Sequence, residues 1–201
     1  MRCSRSARRI VTDTAPRDCF PVDPGHCSAN VSDVERLSAD QAETLLPQFV
    51  ALLQDTVNDG ASIGFLRPLS AEVASGYWRE VIREVGEASR ILLIARRGEM
   101  LAGSVQLGLC TKPNALHRAE VQKLLVHTLW RRRGIGRQLM MALDEEARLA
   151  RRTLLYLDTE SDKAAFEMYR RSGWSRAGEI PDYARTPDGE LHSTVLFYRR
   201  V

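Results

Sequence analysis

Along this chain the spacing of apolar residues switches between the two periods that helices and strands impose. Leu45, Leu46, Phe49, Val50, Leu53 and Val57 recur every three or four positions, which predicts an amphipathic helix. Ser38, followed at the third position by Gln41, supplies a capping box to open it, and Gly60 stops it. Residues 31–37 predict a short strand ahead of that helix. A second stripe of Val73, Tyr77, Trp78, Val81 and Val85 starts behind the N-cap Ser70 and closes at Gly86. Between the stripes, residues 60–68 are punctuated by glycine and proline and predict an irregular connection.

The period then falls to two. Residues 90–97 and 100–110 flank Gly98-Glu99 and predict a hairpin, and residues 117–127 add a third strand in succession. Helical spacing returns over residues 133–151 through Ile135, Leu139, Met140, Leu143 and Ala147. A short strand at 153–158, a helix at 162–172 and strands near 174–178 and 191–200 follow, the last two separated by a Pro187-Asp188-Gly189 turn. The summed order, β-α-α-β-β-β-α-β-α-β-β, predicts a mixed α/β sheet with helices on both faces.

Composition narrows the function classes. A length of 201 residues suits one hydrophobic core, read here as a single domain over residues 31–201. Residues 1–30 mix Arg, Ser, Pro, Asp and Cys without periodicity and predict a tail outside that domain. No apolar run approaches the ~20 residues of a membrane span. The net charge of +3 belongs to the tail, where Arg2, Arg5, Arg8, Arg9 and Arg17 outnumber Asp13 and Asp18. Without those seven residues the chain holds 24 basic and 24 acidic side chains, so neither a nucleic acid nor a membrane surface is expected as a partner. Any anion must therefore be held by a local device.

Cys3, Cys19, Cys27 and Cys110 are spaced by 16, 8 and 83 positions, which suits free thiols in a reducing compartment. No apolar segment of secretory type follows the early arginines, and a cytoplasmic location is expected. His26, His117, His127 and His192 are scattered, so no metal site is expected, and no GxSxG elbow announces covalent catalysis.

The local anion device is Arg131-Arg132-Arg133-Gly134-Ile135-Gly136-Arg137, between a strand and the first turn of a helix. Backbone N–H groups at a helix start are unpaired, and glycines let a phosphate approach them closely. Neither a Walker loop nor the three-glycine dinucleotide fingerprint is present. In the strand before it, alternation sets Arg118, Glu120, Gln122, Leu124 and Val126 on one face and Ala119, Val121, Lys123 and Leu125 on the other. Glu120, on that partly polar face, is the first candidate for a general base. Asp158 ends the next strand, where it suits both an acid at the ligand edge of the sheet and a cap for the following helix. Spacing among Phe166, Met168 and Trp174 makes Tyr169 a core aromatic.

The segment EVQKLLVHTLWRRRGIGRQLM, followed by LLYLDTE and AAFEMYRRSGW, resembles the GCN5-related N-acetyltransferase (GNAT) superfamily. Arg131-x-x-Gly134-x-Gly136 matches its Q/R-x-x-G-x-G/A acetyl-CoA motif. GASIGFL, SVQLGLCTKPNALHRAEVQKLLV, LDTE and GEIPDYARTPDGELHST are similar to the tabtoxin-resistance acetyltransferase group, over roughly residues 31–200.

The resemblance implies the GNAT fold, a mostly antiparallel sheet in which the fourth and fifth strands splay apart. It implies acetyl-CoA as co-substrate and direct attack by the amine of a small molecule, an amino-acid-like toxin or antibiotic of the tabtoxinine-β-lactam kind. Leu124, Leu125 and Val126 would pair with the pantetheine arm, and N–H groups from Arg132 to Arg137 would hold the pyrophosphate. Glu120 falls at the group's general-base position, with Asp158 as a second acid. Tyr169 falls at the superfamily's tyrosine, which protonates the departing thiolate. Asp162 stands where many members carry Asn, which removes a pantetheine contact. Arg67, Arg118 and Arg185 are candidates to hold a substrate carboxylate. A metabolite amino acid, polyamine or peptide amine as acceptor, and a module that binds acyl-CoA without transfer, stay open as alternatives, as does the choice between monomer and homodimer.

Overall fold

The computed structural model describes residues 34–161 and 164–201; the tail cysteines, His26 and Asp162 lie outside the described residues. The chain runs β1 (Val34–Arg36), α1 (Ala39–Thr44), α2 (Leu46–Asn58), α3 (Ala71–Gly86), β2 (Arg90–Arg97), β3 (Met100–Leu109) and β4 (Arg118–Val126). It continues through α4 (Ile135–Leu149), β5 (Leu154–Glu160), α5 (Ala164–Arg171), β6 (Ser175–Arg185) and β7 (Leu191–Arg200). The seven strands form one sheet in the order β1-β2-β3-β4-β5-β7-β6. Every pair is antiparallel except β4–β5, so the predicted mixed sheet is observed.

Two expectations about element length are corrected. The single helix expected up to Gly60 is split at Leu45, because Pro47 sits in the first turn of α2, where its missing N–H suits a helix start but not an interior. The capping box of Ser38 and Gln41 forms as expected and opens α1. β6 runs to Arg185, not to residue 178. It is an edge strand exposed along nearly its whole length, with a register shift between Ile180 and Ala184, so no alternation marks it in the sequence.

Each face of the sheet carries its own core. Ile91, Leu93, Val105 and Leu107 pack under α4 and α5 with Leu139, Leu143, Leu157 and Phe197. Leu92 and Ile94 point the other way, to Phe49, Leu53 and Trp78 of α2 and α3. There the Phe49 and Trp78 rings stack at a centroid distance of 4.3 Å.

The strict alternation expected for β4 fails at Lys123. Ser104 pairs with Leu125 but Gln106 pairs with Gln122, so Val105 of β3 faces an extra residue on β4. This is a β-bulge, and Lys123 occupies it with φ of +49°. Ala119 and Val121 belong to the α4–α5 core, whereas past the bulge it is Leu124 and Val126 that pack there, and Leu125 crosses to the α1–α3 core. Glu120 therefore does not share a face with Leu124 and Val126.

β4 and β5 also part company. Their pairing is limited to Arg118 with Leu154, Ala119 with Leu155 and Glu120 with Tyr156. From Val121 onward β4 has β3 on one edge and no strand on the other. Gly103 of β3 supports the bulge from behind: a Cβ there would stand 2.7 Å from the Leu125 carbonyl oxygen and 3.2 Å from Leu139. Gly103→Ala should lower stability by about 1–3 kcal/mol, the range for overpacked cores, read from the urea midpoint. An unchanged midpoint would show that the bulge is not wedged in place.

Candidate functional site

The opening between β4 and β5 leads into a cleft of about 820 Å³. Its walls are the α2–α3 connection, the end of β4, the start of α4, the end of β5 and α5, including Ser62, Leu124, Gly136, Thr159 and Met168. Of the ten residues expected at a cofactor site, Leu124, Val126, Arg131, Arg132, Gly134, Ile135, Gly136 and Arg137 line it. Leu125 is turned into the opposite core by the bulge, and the Arg133 guanidinium lies over the Trp130 ring, 4.9 Å from its centroid.

The loop that enters α4 is held open by its neighbours. The Asp55 carboxylate of α2 accepts from the Thr128 N–H and hydroxyl, each at 2.8 Å. Arg131 donates from Nε to the Val126 carbonyl at 3.1 Å and pairs with Asp59 through its guanidinium. Gly134 takes φ of +82° as the N-cap and offers no side-chain acceptor. The first bond of the α4 ladder runs from the Gln138 N–H to the Gly134 carbonyl at 3.0 Å. The N–H groups of Ile135, Gly136 and Arg137 thus stay outside the ladder, beside a helix start with no acidic residue in its first turn. An anion is the complementary occupant.

The acidic groups gather where β4 and β5 diverge. Glu120 and Tyr156 face each other in the last β4–β5 pair. Burial first, and then the Glu120 carboxylate, hold the Tyr156 phenol above its usual range. Asp158 lies inside β5, with its Oδ2 3.1 Å from the Thr194 hydroxyl of β7, and so caps no helix. Tyr169 of α5 is 5% exposed and packs against Trp174 and Phe197. Its hydroxyl has no hydrogen-bond partner among the described residues, and burial, followed by the Asp158 carboxylate, pushes its phenol up. Tyr169 is thus both the core aromatic that spacing implies and a phenol within the field of the site.

The three arginines considered for a substrate are spread out. Arg67 donates to Asp188 at 2.6 Å and to the Asn58 carbonyl at 2.9 Å, tying the α2–α3 connection to the β6–β7 turn. Arg185 donates to the Gly189 carbonyl at 2.6 Å within that turn. Ser62, whose hydroxyl lies 2.6 Å from His192 Nε2, adds a further tie. Arg118 sits at the closed end of the β4–β5 pair, over the Tyr156 ring at 5.9 Å.

A polar layer beneath Glu120 escaped the sequence. Arg90 donates to Glu84, to Gln106 at 2.7 Å and to Gln122, and Tyr77 donates to Gln106 at 3.1 Å. Burial drives the Tyr77 phenol up to about 12. Lys123 joins this layer from the bulge, with Nζ 5.9 Å from the Tyr77 ring centroid. Spacing counts Tyr77 as one more apolar position of its helix stripe, and the resemblance, though its segments span Lys123, assigns that residue no role. Among the described residues no cluster of His, Cys, Asp or Glu could hold a metal, and Cys110 is a free thiol.

Comparison with known proteins identifies the family and the fold. Residues 54–174 match the model of the acetyltransferase (GNAT) family. Over 106 residues the chain is 34% identical to an uncharacterized N-acetyltransferase in the hisH-hisA intergenic region of Azospirillum brasilense, a match covering 52% of this chain and 61% of that relative. The ribosomal-protein-alanine N-acetyltransferase of Brucella melitensis superposes with a TM-score of 0.69 at 20% identity, over 84% of this chain and 99% of that one. A Salmonella typhimurium protein solved with its cofactor acetyl-CoA gives 0.67 at 16% identity, over 84% and 94% of the two chains. At such identities these two structures establish likeness of fold. The family match spans more than half of the chain, which therefore belongs to the acetyltransferase (GNAT) family.

Proposed function

We propose that this chain transfers the acetyl group of acetyl-CoA to the primary amine of a small molecule, with no covalent enzyme intermediate. One observation carries the reading: the edge of β4 beyond Glu120 is left without a partner strand and opens onto a cleft that ends at the bare N-terminus of α4. A free strand edge suits the amide-bearing pantetheine arm, and three unpaired N–H groups with Arg131, Arg132 and Arg137 alongside suit a pyrophosphate. Leu124 and Val126 would flank the arm. The cleft thus offers acetyl-CoA a donor for each class of acceptor it carries.

In this mechanism Glu120, directly or through a water, takes a proton from the acceptor ammonium, which otherwise has no lone pair to attack with. The amine nitrogen bonds to the thioester carbon, the carbon–sulfur bond breaks, and the surplus proton that the new amide nitrogen sheds replaces the one Tyr169 gives up. The Tyr169 hydroxyl, unpartnered and kept protonated by burial, gives its proton to the departing thiolate. β4 N–H groups at the opening face the charge that develops on the thioester oxygen. Asp158, beside Tyr169, adds a second negative charge for the acceptor ammonium. Holding the two reactants in one cleft supplies much of the remaining acceleration.

The acceptor we infer is an amino-acid-like amine, of the kind that toxin- or antibiotic-modifying enzymes inactivate, on the strength of the motifs shared with the tabtoxin-resistance group. A cytoplasmic setting fits, and no helix of the described residues is long and apolar enough to cross a membrane. Arg67 and Arg185 enter this reading as ties that shape the acceptor end, since their guanidinium groups are spent on Asp188, Asn58 and Gly189.

Glu120→Gln and Tyr169→Phe should each lower kcat by about 10²- to 10⁴-fold, with acetyl-CoA still bound in calorimetry. Near-normal turnover in both variants removes these roles. Asp55→Ala, which frees the Thr128 end of the α4 loop and forfeits about 1.5–3 kcal/mol of charge-assisted bonding, should raise KM for acetyl-CoA more than it lowers kcat. An unchanged KM would mean that the loop holds its shape without α2.

A further inference from the structure

Beside the cleft, where β4 leaves β5, stands a cation to which the family resemblance assigns no role. Lys123 emerges from the β4 bulge with φ of +49°, beside the polar layer of Arg90, Gln106 and Gln122. Its Nζ lies 5.9 Å from the Tyr77 ring centroid and 3.6 Å from the point where a Cβ on Gly64 would stand. The ammonium is thus set between α3 and the α2–α3 connection, a wall of the cleft. The ring face steadies it without using any of its three N–H donors.

The surrounding charges make this position unusual. Among the described residues the Lys123 ammonium forms neither a hydrogen bond nor an ion pair. Burial lowers its pKa, the charges of Asp158 and Glu120 work against that, and the nearby Arg90 adds to it. Of the other cations near the site, Arg90, Arg67 and Arg185 are engaged, and Arg118 keeps a buried Nε without a partner. Arg90 is engaged by Glu84, Gln106 and Gln122. Arg67 and Arg185 are tied into the β6–β7 turn, and Arg118 lies within the closed part of the β4–β5 pair. Lys123 thus offers free donors within the fields of two carboxylates, next to the cleft wall that the α2–α3 connection forms.

We propose that Lys123 is the acceptor's anion site: its ammonium receives the carboxylate of an amino-acid-type acceptor whose own amine lies toward Glu120 and Asp158. The site is dipolar and selects zwitterionic amines. A diamine or polyamine would set a second cation against Lys123, and a simple alkylamine would leave its donors unmatched. The inference rests on the acetyltransferase reading above and specifies the substrate class of that same site.

The test uses three matched probe pairs that differ only by an α-carboxylate: L-methionine and 3-(methylthio)propylamine, L-ornithine and 1,4-diaminobutane, L-2,4-diaminobutyrate and 1,3-diaminopropane. The quantity read is the ratio of kcat/KM within each pair, from CoA thiol release, with the acetyl-CoA-induced rise in Tm verifying that each variant is folded. In the unmodified enzyme the acid should be preferred by about 10- to 100-fold, as for a hydrogen bond to a charged group. Lys123→Met should collapse that ratio toward one, and Lys123→Arg, which keeps the charge, should retain most of it.

Equal use of acid and amine by the unmodified enzyme overturns the proposal. So does a Lys123→Met variant that slows both members of a pair alike and shifts the pH profile, the behaviour of a residue that only tunes Glu120. A ratio that collapses in Arg118→Met and survives in Lys123→Met moves the anion site to Arg118. Transfer to other amines but to none of these acids overturns the substrate class alone, whereas no transfer to any amine overturns the acetyltransferase reading itself.

Discussion

Everything distinctive about this molecule follows from the early end of one strand pairing. β4 and β5 share three residue pairs and then diverge after Glu120 and Tyr156. Unpaired strand edges are normally covered, because their N–H and C=O groups lose water without gaining partners. Here the edge is left open, and the bulge at Lys123 bends β4 away while exchanging which side chains face which core. Polar residues from Glu120 to Lys123 are thereby delivered to the α3 side, and Leu124 and Val126 to the side of α4 and α5. A regular strand would mix the two sets on one face. The cost of the open edge is met by two large cores, one on each side of the sheet.

The electrostatic design is local. The surplus of charge resides in the first 20 residues, and the remainder of the chain is balanced. In the proposed reading, anion binding therefore rests on backbone dipoles at the α4 start, where no side chain caps the first turn, and on a few arginines near them. Beside the cleft, the charge of Asp158 acts on the buried Tyr169 phenol, and those of Asp158 and Glu120 act on the Lys123 ammonium. Donor and acceptor substrates would thus meet between two differently charged ends. The loops at the acceptor end are knotted together by Arg67, Asp188, Ser62 and His192, so their shape is set by the β6–β7 turn as much as by their own sequence.

Much of this was legible in the residues, and the rest was not for identifiable reasons. The helix stripes of α2 and α3, the β2–β3 hairpin and the glycines at the start of α4 carry strong local periods or backbone requirements, and they appear where expected. Glu120 was legible as a candidate base from its place in the strand, and Tyr169 as a core aromatic from spacing and as a candidate acid only through the family resemblance. The bulge was invisible, because one added residue leaves no compositional trace while reversing every side chain after it. β6 was truncated because an exposed edge strand has no apolar face to alternate. That Arg67 and Arg185 are tied within the protein was not legible, because guanidinium chemistry is readable but its partner, 121 residues away in the case of Arg67 and Asp188, is not. Lys123 was hidden in the same way, as a polar residue assigned to the wrong face.

The central claim is that the unpaired edge of β4 and the bare start of α4 together receive acetyl-CoA. Amide hydrogen exchange of the intact chain, with and without acetyl-CoA, tests it most directly. Binding should slow exchange in residues 121–126 and 131–137 together, and leave β2, already paired on both edges, unchanged. Binding that protects neither segment, or that protects the α4 start while β4 exchanges as before, would contradict the account.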